Sequence, residues 1–325
     1  MGITRRSMLR AGLAGVIAAP LVPAGESPAG RRGGFRIAHL TDIHVQPERE
    51  SAKGLAQCLA HVQSLPDRGG GPPVDMIVTG GDTIMDCMEA GRDRAQVQWD
   101  LWRKVKTDHC SLEVKSVVGN HDVWGWTKAK SGVTGAEPLY GKQWACEQFG
   151  RELPYDSFDR GGWHIVLLDS VFPHEQSYVG KLDDAQWDWL ERDLAAVPTA
   201  TPVLVVSHIP ILSVHPLAAA AANGGAGSDG KPAFSLSGGL VHVDHDRFQR
   251  LFARHRNVKA CLSGHLHIIE QIDYGGVRYL CNGAVSAGWW KGPHGGTDFG
   301  YAVIDLFDDG TLACDYRTYG WTARG

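Results

Sequence analysis

Short apolar segments alternate with longer stretches of mixed polarity through most of this 325-residue chain. Apolar runs that end in turn residues predict buried strands, whereas apolar residues recurring every three or four positions predict helices. The two patterns follow one another in turn, which is typical of an α/β layered fold. The predicted strands lie within 35–44, 73–82, 112–122, 201–210 and 258–267.

Helical spacing predicts four longer helices and one short helix near 140–149. In one of the longer helices, the spacing of Val97, Leu101 and Val105 places these side chains on one predicted buried face. Asp183 precedes another and is predicted as its N-cap, because its carboxylate suits the free N–H groups of a first turn. The longer helices lie within 51–65, 95–106, 183–197 and 246–255.

Glycine-containing segments predict the connections. Gly161-Gly162 predicts a two-residue hairpin turn. The Ala, Gly and Ser-rich segment 213–240 predicts a long loop, and loops of that length are usually functional or mobile. Residues 268–288 and 300–321 predict further strands. No internal repeat or splitting linker follows residue 34, so 35–325 is predicted to form one domain.

The first residues differ from the rest of the chain. Arg5 and Arg6 precede an apolar run that ends near Val22, and this run is too short to span a bilayer. Residues 1–24 are therefore predicted to be a cleaved export signal, and the paired arginines resemble a twin-arginine signal. Residues 25–34 are predicted to be a linker. The expected location is periplasmic or extracellular, with no stable membrane anchor.

Composition narrows the class of protein. An apolar content of 43%, a net charge of −4 and a pI near 6.4 indicate a globular protein without the basic footprint of a nucleic-acid scaffold. Seven cysteines include no CxxC pair, and most lie in or beside apolar segments, where they act as small hydrophobes. Export leaves a disulfide possible, but no pair is indicated by spacing.

Potential metal ligands follow each of the five predicted strands. Taken alone, "GNHD" at 119–122 is most simply a tight turn, and a single histidine is more often a satisfied core residue than a ligand. The carboxyl ends of strands in an α/β sheet converge on one edge, however, so these residues can meet in space. Their ordered recurrence is rare by chance. The candidates are Asp42, His44, Asp82, Asn120, His121, His208, His265 and His267.

The motifs "LTDIH", "TGGD", "VGNHD", "VVSHIP" and "LSGHLH", in this order, resemble those of the calcineurin-like metallophosphoesterase family. The resemblance spans about residues 35–270. It implies a four-layer α/β/β/α sandwich with a dinuclear metal site at the strand carboxyl ends. It further implies that Asp82 bridges two metals, the first also bound by Asp42, His44 and His267, and the second by Asn120, His208 and His265.

The residue types agree with that implication. A carboxylate can bridge two cations, and neutral imidazoles suit Fe, Mn or Zn, so we expect two divalent or mixed-valence ions. The implied reaction is hydrolysis of a phosphomonoester or small phosphodiester by a hydroxide that the two metals activate. His121 would be catalytic, stabilising the phosphoryl group or protonating the leaving oxygen. Asp122 would orient His121 through its other ring nitrogen.

One position departs from the family pattern. An acidic residue, or the tyrosine of the purple acid phosphatase branch, often stands three positions after the bridging aspartate. Here that position is Met85, which argues against a tyrosinate-ligated site. Asp86 is predicted to take the acidic supporting role instead.

Candidate substrate-binding residues are aromatic side chains and one histidine near the predicted metal ligands. The candidates for a pocket wall are Trp124, Trp126, Trp289 and Trp290, although tryptophan is also a common core residue. His215 is a further candidate at the site. The expected partner is a small phosphate ester, with a cyclic-nucleotide phosphodiesterase as the alternative enzyme. A non-catalytic metal-binding interaction protein is the alternative of another class, but such scaffolds usually lose ligands, and here the full set is present.

Overall fold

The computed structural model describes residues 34–66, 73–175, 177–222, 224–226, 232–233 and 235–323. The predicted export signal, and the linker up to residue 33, lie outside these residues. None of the described helices is both long and apolar enough to cross a membrane.

Fifteen strands and seven α-helices are present in the described part of the chain. The strands are β1 (Phe35–Leu40), β2 (Met76–Thr79), β3 (Val114–Ser116), β4 (Asp156–Arg160), β5 (Trp163–Leu167), β6 (Val171–His174), β7 (Ser177–Gly180), β8 (Val203–Val206), β9 (Gly225–Ala226), β10 (Pro232–Ala233), β11 (Val258–Ser263), β12 (Glu270–Tyr274), β13 (Val277–Cys281), β14 (Gly300–Leu306) and β15 (Leu312–Thr318). The helices are α1 (Ser51–Gln63), α2 (Arg92–His109), α3 (Lys128–Ser131), α4 (Gln143–Phe149), α5 (Asp184–Ala196), α6 (His215–Ala222) and α7 (His245–Arg254).

Two mixed sheets form the centre of the fold. One has the strand order β15-β14-β1-β2-β3, in which β1, β2 and β3 are parallel. The other has the order β12-β13-β11-β8-β5-β4, in which β13, β11, β8 and β5 are parallel. Two small two-stranded sheets, β6-β7 and β9-β10, complete the described strands.

Three apolar cores separate four layers. The central core contains residues of both sheets, such as Ile37 and Val78 from one and Ile165 and Leu262 from the other. A second core joins the first sheet to α1 and α2, and a third joins the second sheet to α5 and α7. The order of layers is therefore α/β/β/α, as predicted, since each sheet buries one face on the other and one face on helices.

Local predictions were right where a single residue type determines the backbone. The Asp183 carboxylate accepts a hydrogen bond from the N–H of Gln186 at 2.8 Å and caps α5. Gly161 and Gly162 form the β4–β5 turn, and both have positive φ. The predicted buried face of α2 was right at Val105 but wrong at Val97, which is 48% exposed; Ala95, Trp99 and Trp102 supply the rest of the buried apolar face.

The segment 213–240 was predicted to be a loop throughout, and this was also wrong. Residues His215–Ala222 form α6. Alanine has the highest helix propensity, so an alanine run can form a helix without the amphipathic spacing on which the prediction relied.

Candidate metal centre

The predicted ligands come from the carboxyl ends of parallel strands in both sheets. Asp42 and His44 follow β1, and Asp82 follows β2. Asn120 lies in a 3₁₀ turn, Asn120–Asp122, that comes after β3. The second sheet contributes ligands after β8 and β11, namely His208, His265 and His267. The two sheets therefore present their polar residues to one shared site.

The backbone is unusual at five of the seven predicted ligands. Their φ angles are positive: 52° at Asp42, 47° at His44, 51° at Asp82, 70° at His265 and 55° at His267. Positive φ is uncommon for residues other than glycine and costs about 1–3 kcal/mol at each position. Such strain in one cluster is typical of functional sites, where it directs side chains toward a common point.

Gly119 is needed for close approach rather than for a turn. Its φ of −96° is available to any residue. A Cβ atom at this position would lie 2.1 Å from the backbone nitrogen of Asp82. Only glycine allows the strand ends that carry Asn120 and Asp82 to come so close together.

The first donor group consists of Asp42, His44 and His267. One Asp42 oxygen, Oδ2, accepts hydrogen bonds from the Thr41 hydroxyl at 2.6 Å and the His265 N–H at 2.8 Å. The other, Oδ1, is buried without a hydrogen-bond partner, 3.3 Å from His267 Nε2. His267 Nδ1 donates to the Ala287 carbonyl at 2.5 Å, which leaves a lone pair on Nε2. That nitrogen is 3.1 Å from His44 Nε2, so electron-pair donors converge on one point.

The second donor group consists of Asp82, Asn120, His208 and His265. His208 Nδ1 donates to the Gly80 carbonyl at 2.8 Å, so its Nε2 carries the lone pair. This Nε2 faces two oxygens, Asn120 Oδ1 at 3.0 Å and Asp82 Oδ2 at 3.3 Å. His265 Nε2 likewise donates a hydrogen bond to the Gly239 carbonyl at 2.8 Å, which leaves Nδ1 to bind a metal ion.

Asp82 lies between the two groups. Its Oδ1 accepts a hydrogen bond from the backbone N–H of His121 at 2.8 Å. Its Oδ2 is 3.3 Å from His208 Nε2 and 3.7 Å from His44 Nε2, so it faces one imidazole of each group. Six of the seven donors are buried and His265 is part-buried. The six other donors arranged around the Asp82 carboxylate fit two metal ions, which Asp82 would bridge.

The electrostatics of the site favour bound cations. Burial raises the pKa of Asp82, but His208 and His121 outweigh this effect and hold it well below its usual range. Burial lowers the pKa of His208, but Asp82 outweighs this effect and raises it to about 9. Burial lowers the pKa of His265 to about 4. The Asp82 carboxylate is therefore ionised and attracts positive charge, either a proton on His208 or a metal cation in its place.

The orientation of His121 differs from the prediction. Its Nδ1 bonds the backbone carbonyl of Met85, not the carboxylate of Asp122. Asp122 instead accepts hydrogen bonds from the backbone N–H groups of Thr83, Ile84 and Gly119 at 2.8, 3.2 and 2.9 Å. Burial raises the pKa of Asp122 to about 7. Asp122 therefore fixes the loop after β2 against the 3₁₀ turn. The prediction that the Asp122 carboxylate orients the His121 ring was wrong.

Asp86 does not support the metal ligands as predicted. Its carboxylate accepts a hydrogen bond from the N–H of Glu89 at 3.1 Å and closes a local turn. In this part of the site, the backbone carbonyl of Met85 accepts a hydrogen bond from His121 Nδ1 and orients the His121 ring. Carbonyl groups such as those of Met85, Gly239 and Ala287 carry no signal in the sequence, because every residue type offers one.

A cavity of about 340 Å³ opens onto the donor groups. The predicted pocket residues Trp289 and His215 line it, together with Tyr178, which was not predicted. Trp124 and Trp290 were wrongly predicted to form its wall, because both are buried core residues. The indole N–H of Trp124 donates to the Ala90 carbonyl, and that of Trp290 to the Ile43 and His44 carbonyls. The remaining lining residues are Asp82, Asn120, His121, Pro216, Ala219, Leu240, His265, Leu266 and His267.

Comparison with known proteins identifies similar sequences and folds. The chain is 24% identical to a "Probable cyclic nucleotide phosphodiesterase" of Rhodococcus erythropolis over 74% of this chain and 67% of that protein. It is 30% identical to the "3',5'-cyclic adenosine monophosphate phosphodiesterase CpdA" of Escherichia coli over 47% of this chain and 50% of that one. A dimetal phosphatase from Danio rerio has a similar fold, with a TM-score of 0.60 at 16% identity, over 89% of this chain and 97% of that chain.

Two mixed sheets have helices on their outer faces, and overlapping sets of metal-binding side chains that share His44 and Asp82 lie at the strand ends. Residues 35–268 match the family described as Calcineurin-like phosphoesterase, and the chain belongs to it. The protein is therefore a metal-dependent hydrolase of phosphate esters.

Proposed function

We propose that this enzyme is a two-metal phosphodiesterase that acts on small phosphodiesters in preference to phosphomonoesters. The observation that carries the proposal is the sharing of Asp82 Oδ2 between two buried donor groups beneath an open cavity. When bound, the two ions would make water nucleophilic near neutral pH and neutralise charge on the phosphoryl oxygens. Histidine-rich donor groups suit Fe, Mn or Zn.

Charge balance supports a diester. Asp42 and Asp82 are the ionised carboxylates of the donor groups, so two divalent ions leave two net positive charges. A hydroxide and a diester monoanion cancel them, whereas a monoester dianion leaves an excess negative charge. No lysine or arginine is among the described residues that line the cavity, so the cation there that could offset part of that excess is a protonated imidazole such as that of His121. The names of the relatives support a cyclic nucleotide as one candidate diester.

The chain's own residues supply positioning and proton transfer. His121 lines the cavity, and its Nδ1 is bonded to the Met85 carbonyl, so Nε2 is the ring nitrogen left for proton transfer. An imidazolium at this point would protonate the leaving oxygen. His44 packs edge-on against His121, with 4.7 Å between the ring centroids, and limits the directions that the ring can take.

A metal and ester panel tests this proposal. The full chain is stripped with a chelator and reloaded with Mn, Zn, Fe, Ni or Mg before assay on bis(4-nitrophenyl) phosphate, 4-nitrophenyl phosphate and 3',5'-cyclic nucleotides. We expect chelation to abolish activity, reloading to restore it, and the diester to be hydrolysed faster than the monoester. Two bound metals without turnover of any ester would indicate the non-catalytic metal-binding alternative.

We also propose that the enzyme is exported. The support is the sequence pattern of Arg5 and Arg6 before a short apolar run. Changing both arginines to lysine keeps the charge but removes the twin-arginine pattern, so we expect the precursor to accumulate in the cytoplasm in an active form. Cell fractionation with an activity assay measures this. Normal appearance of the double variant outside the cytoplasmic membrane would contradict the proposal.

A further inference from the structure

Two aromatic side chains border the metal centre, each beside a different donor group. The Trp289 ring lies 4.5 Å from the ring of His267 and 6.2 Å from that of His44, measured between centroids, so it borders the first donor group. The Tyr178 ring lies 5.8 Å from that of His265 and borders the second group. Both aromatic residues line the cavity. A phosphodiester bound at both groups would therefore have an aromatic ring beside each of them.

The position of Trp289 is fixed from behind. The neighbouring Trp290 is buried, stacks on Phe299 and donates its indole N–H to the carbonyls of Ile43 and His44 at 3.0 Å each. The hydroxyl of Ser286 donates to the Asp42 carbonyl at 2.7 Å. The segment that carries Trp289 is thus attached to the metal-binding loop after β1.

Trp289 also has strained backbone geometry. Its φ is 54° and that of Trp290 is 66°, a conformation that favours glycine. The contacts of Trp290 in the core stabilise its side chain in this conformation. The Trp289 side chain has no comparable role in the core, since it faces the cavity and packs against His294 at a centroid distance of 5.2 Å. A rigid aromatic surface held at a metal centre is typical of a ligand contact.

The rest of the cavity is suited to uncharged groups. Pro216 and Ala219 of α6, with Leu240 and Leu266, supply its apolar wall. Beyond the donor groups and His121, the described lining residues with a polar group in the side chain are His215, Tyr178 and Trp289. Additional phosphate groups on a substrate would find no lysine or arginine among these residues. The two substituents of the ester are therefore expected to be uncharged and at least partly aromatic.

We propose that the enzyme binds phosphodiesters with two bulky, uncharged ester substituents, one packed against Trp289 and the other against Tyr178. This inference rests on the proposed phosphodiesterase function and adds the features that select the substrate. It distinguishes diesters from monoesters by shape, because a monoester has a single substituent and can use only one of the two surfaces.

Three esters with the same leaving group test the inference. Bis(4-nitrophenyl) phosphate can contact both surfaces, whereas methyl 4-nitrophenyl phosphate and 4-nitrophenyl phosphate offer one aromatic group. On the bis-aryl diester, we expect Trp289→Ala and Tyr178→Ala each to lower kcat/KM about 10- to 100-fold, the range of base–aromatic stacking contacts. On the methyl diester, only one of the two variants should cause such a loss. Trp289→Phe should retain most activity on both diesters.

Tyr274→Ala is the matched control, because Tyr274 is 52% exposed and does not line the cavity. Metal content is measured for every variant, and each should retain the metal of the unaltered enzyme. Equal losses on both diesters for both variants, or no loss for either, would overturn the inference while leaving the phosphodiesterase function intact. Failure of the unaltered enzyme to hydrolyse any diester would overturn the proposed function itself.

Discussion

Replacing Asp82 with asparagine should remove bound metal and abolish phosphoesterase activity. Asp82 Oδ2 faces His208 Nε2 at 3.3 Å and His44 Nε2 at 3.7 Å, so one atom serves both donor groups. Asparagine keeps the shape and one carbonyl oxygen but removes the negative charge that holds two cations together. Metal ions contribute several kcal/mol of transition-state stabilisation, so we expect kcat/KM to fall by more than about 1,000-fold. Elemental analysis and the diester assay measure the two effects.

Asp86→Asn is the matched control for Asp82→Asn. The Asp86 carboxylate caps a local turn through the N–H of Glu89 and does not belong to the donor groups. This variant should retain both metals and nearly full activity. If Asp82→Asn keeps two metals per chain and normal turnover, Asp82 is not the bridge. If Asp86→Asn also loses metal, Asp86 contributes to the metal site, and the assignment of its carboxylate to a local turn alone is wrong.

The fold and the donor groups could be predicted because both depend on residue types that a sequence displays. Apolar runs mark buried strands, and a buried strand that ends in Asp or His has few structural reasons to do so. Parallel strands then bring their carboxyl ends together without any knowledge of contacts. This is why His208, which is separated by more than eighty residues from Asn120, could be placed beside it; their side chains are 3.0 Å apart.

The surroundings of the metal site could not be predicted in the same way. The His121 ring is oriented by a hydrogen bond to the backbone carbonyl of Met85. Every residue has such a carbonyl, so the sequence does not indicate which one will be the partner. Trp289 and Trp290 are the same residue type in adjacent positions, yet Trp289 lines the cavity and Trp290 is buried. Successive side chains point in different directions, and only the path of the backbone decides which of them lies inside.

His121→Ala should affect esters according to their leaving group. His121 lies at the cavity, and its Nδ1 is occupied by the Met85 carbonyl, so the other ring nitrogen is the one that can deliver a proton. Nitrophenolate leaves without protonation, whereas an alkoxide needs a proton. General acid catalysis contributes about 10²–10⁴-fold, so we expect kcat to fall by that factor for a dialkyl phosphate and far less for a nitrophenyl ester.

Steady-state kinetics on a dialkyl and a nitrophenyl diester measure this difference for His121→Ala, with elemental analysis of the same preparations. Metal content should be unchanged, because His121 is not among the predicted ligands. His174→Ala, which removes an exposed imidazole of β6, should leave both rates unchanged. Equal losses on the two esters would assign His121 to binding the phosphoryl group. Loss of metal would make His121 a ligand and require a different division of the donor groups.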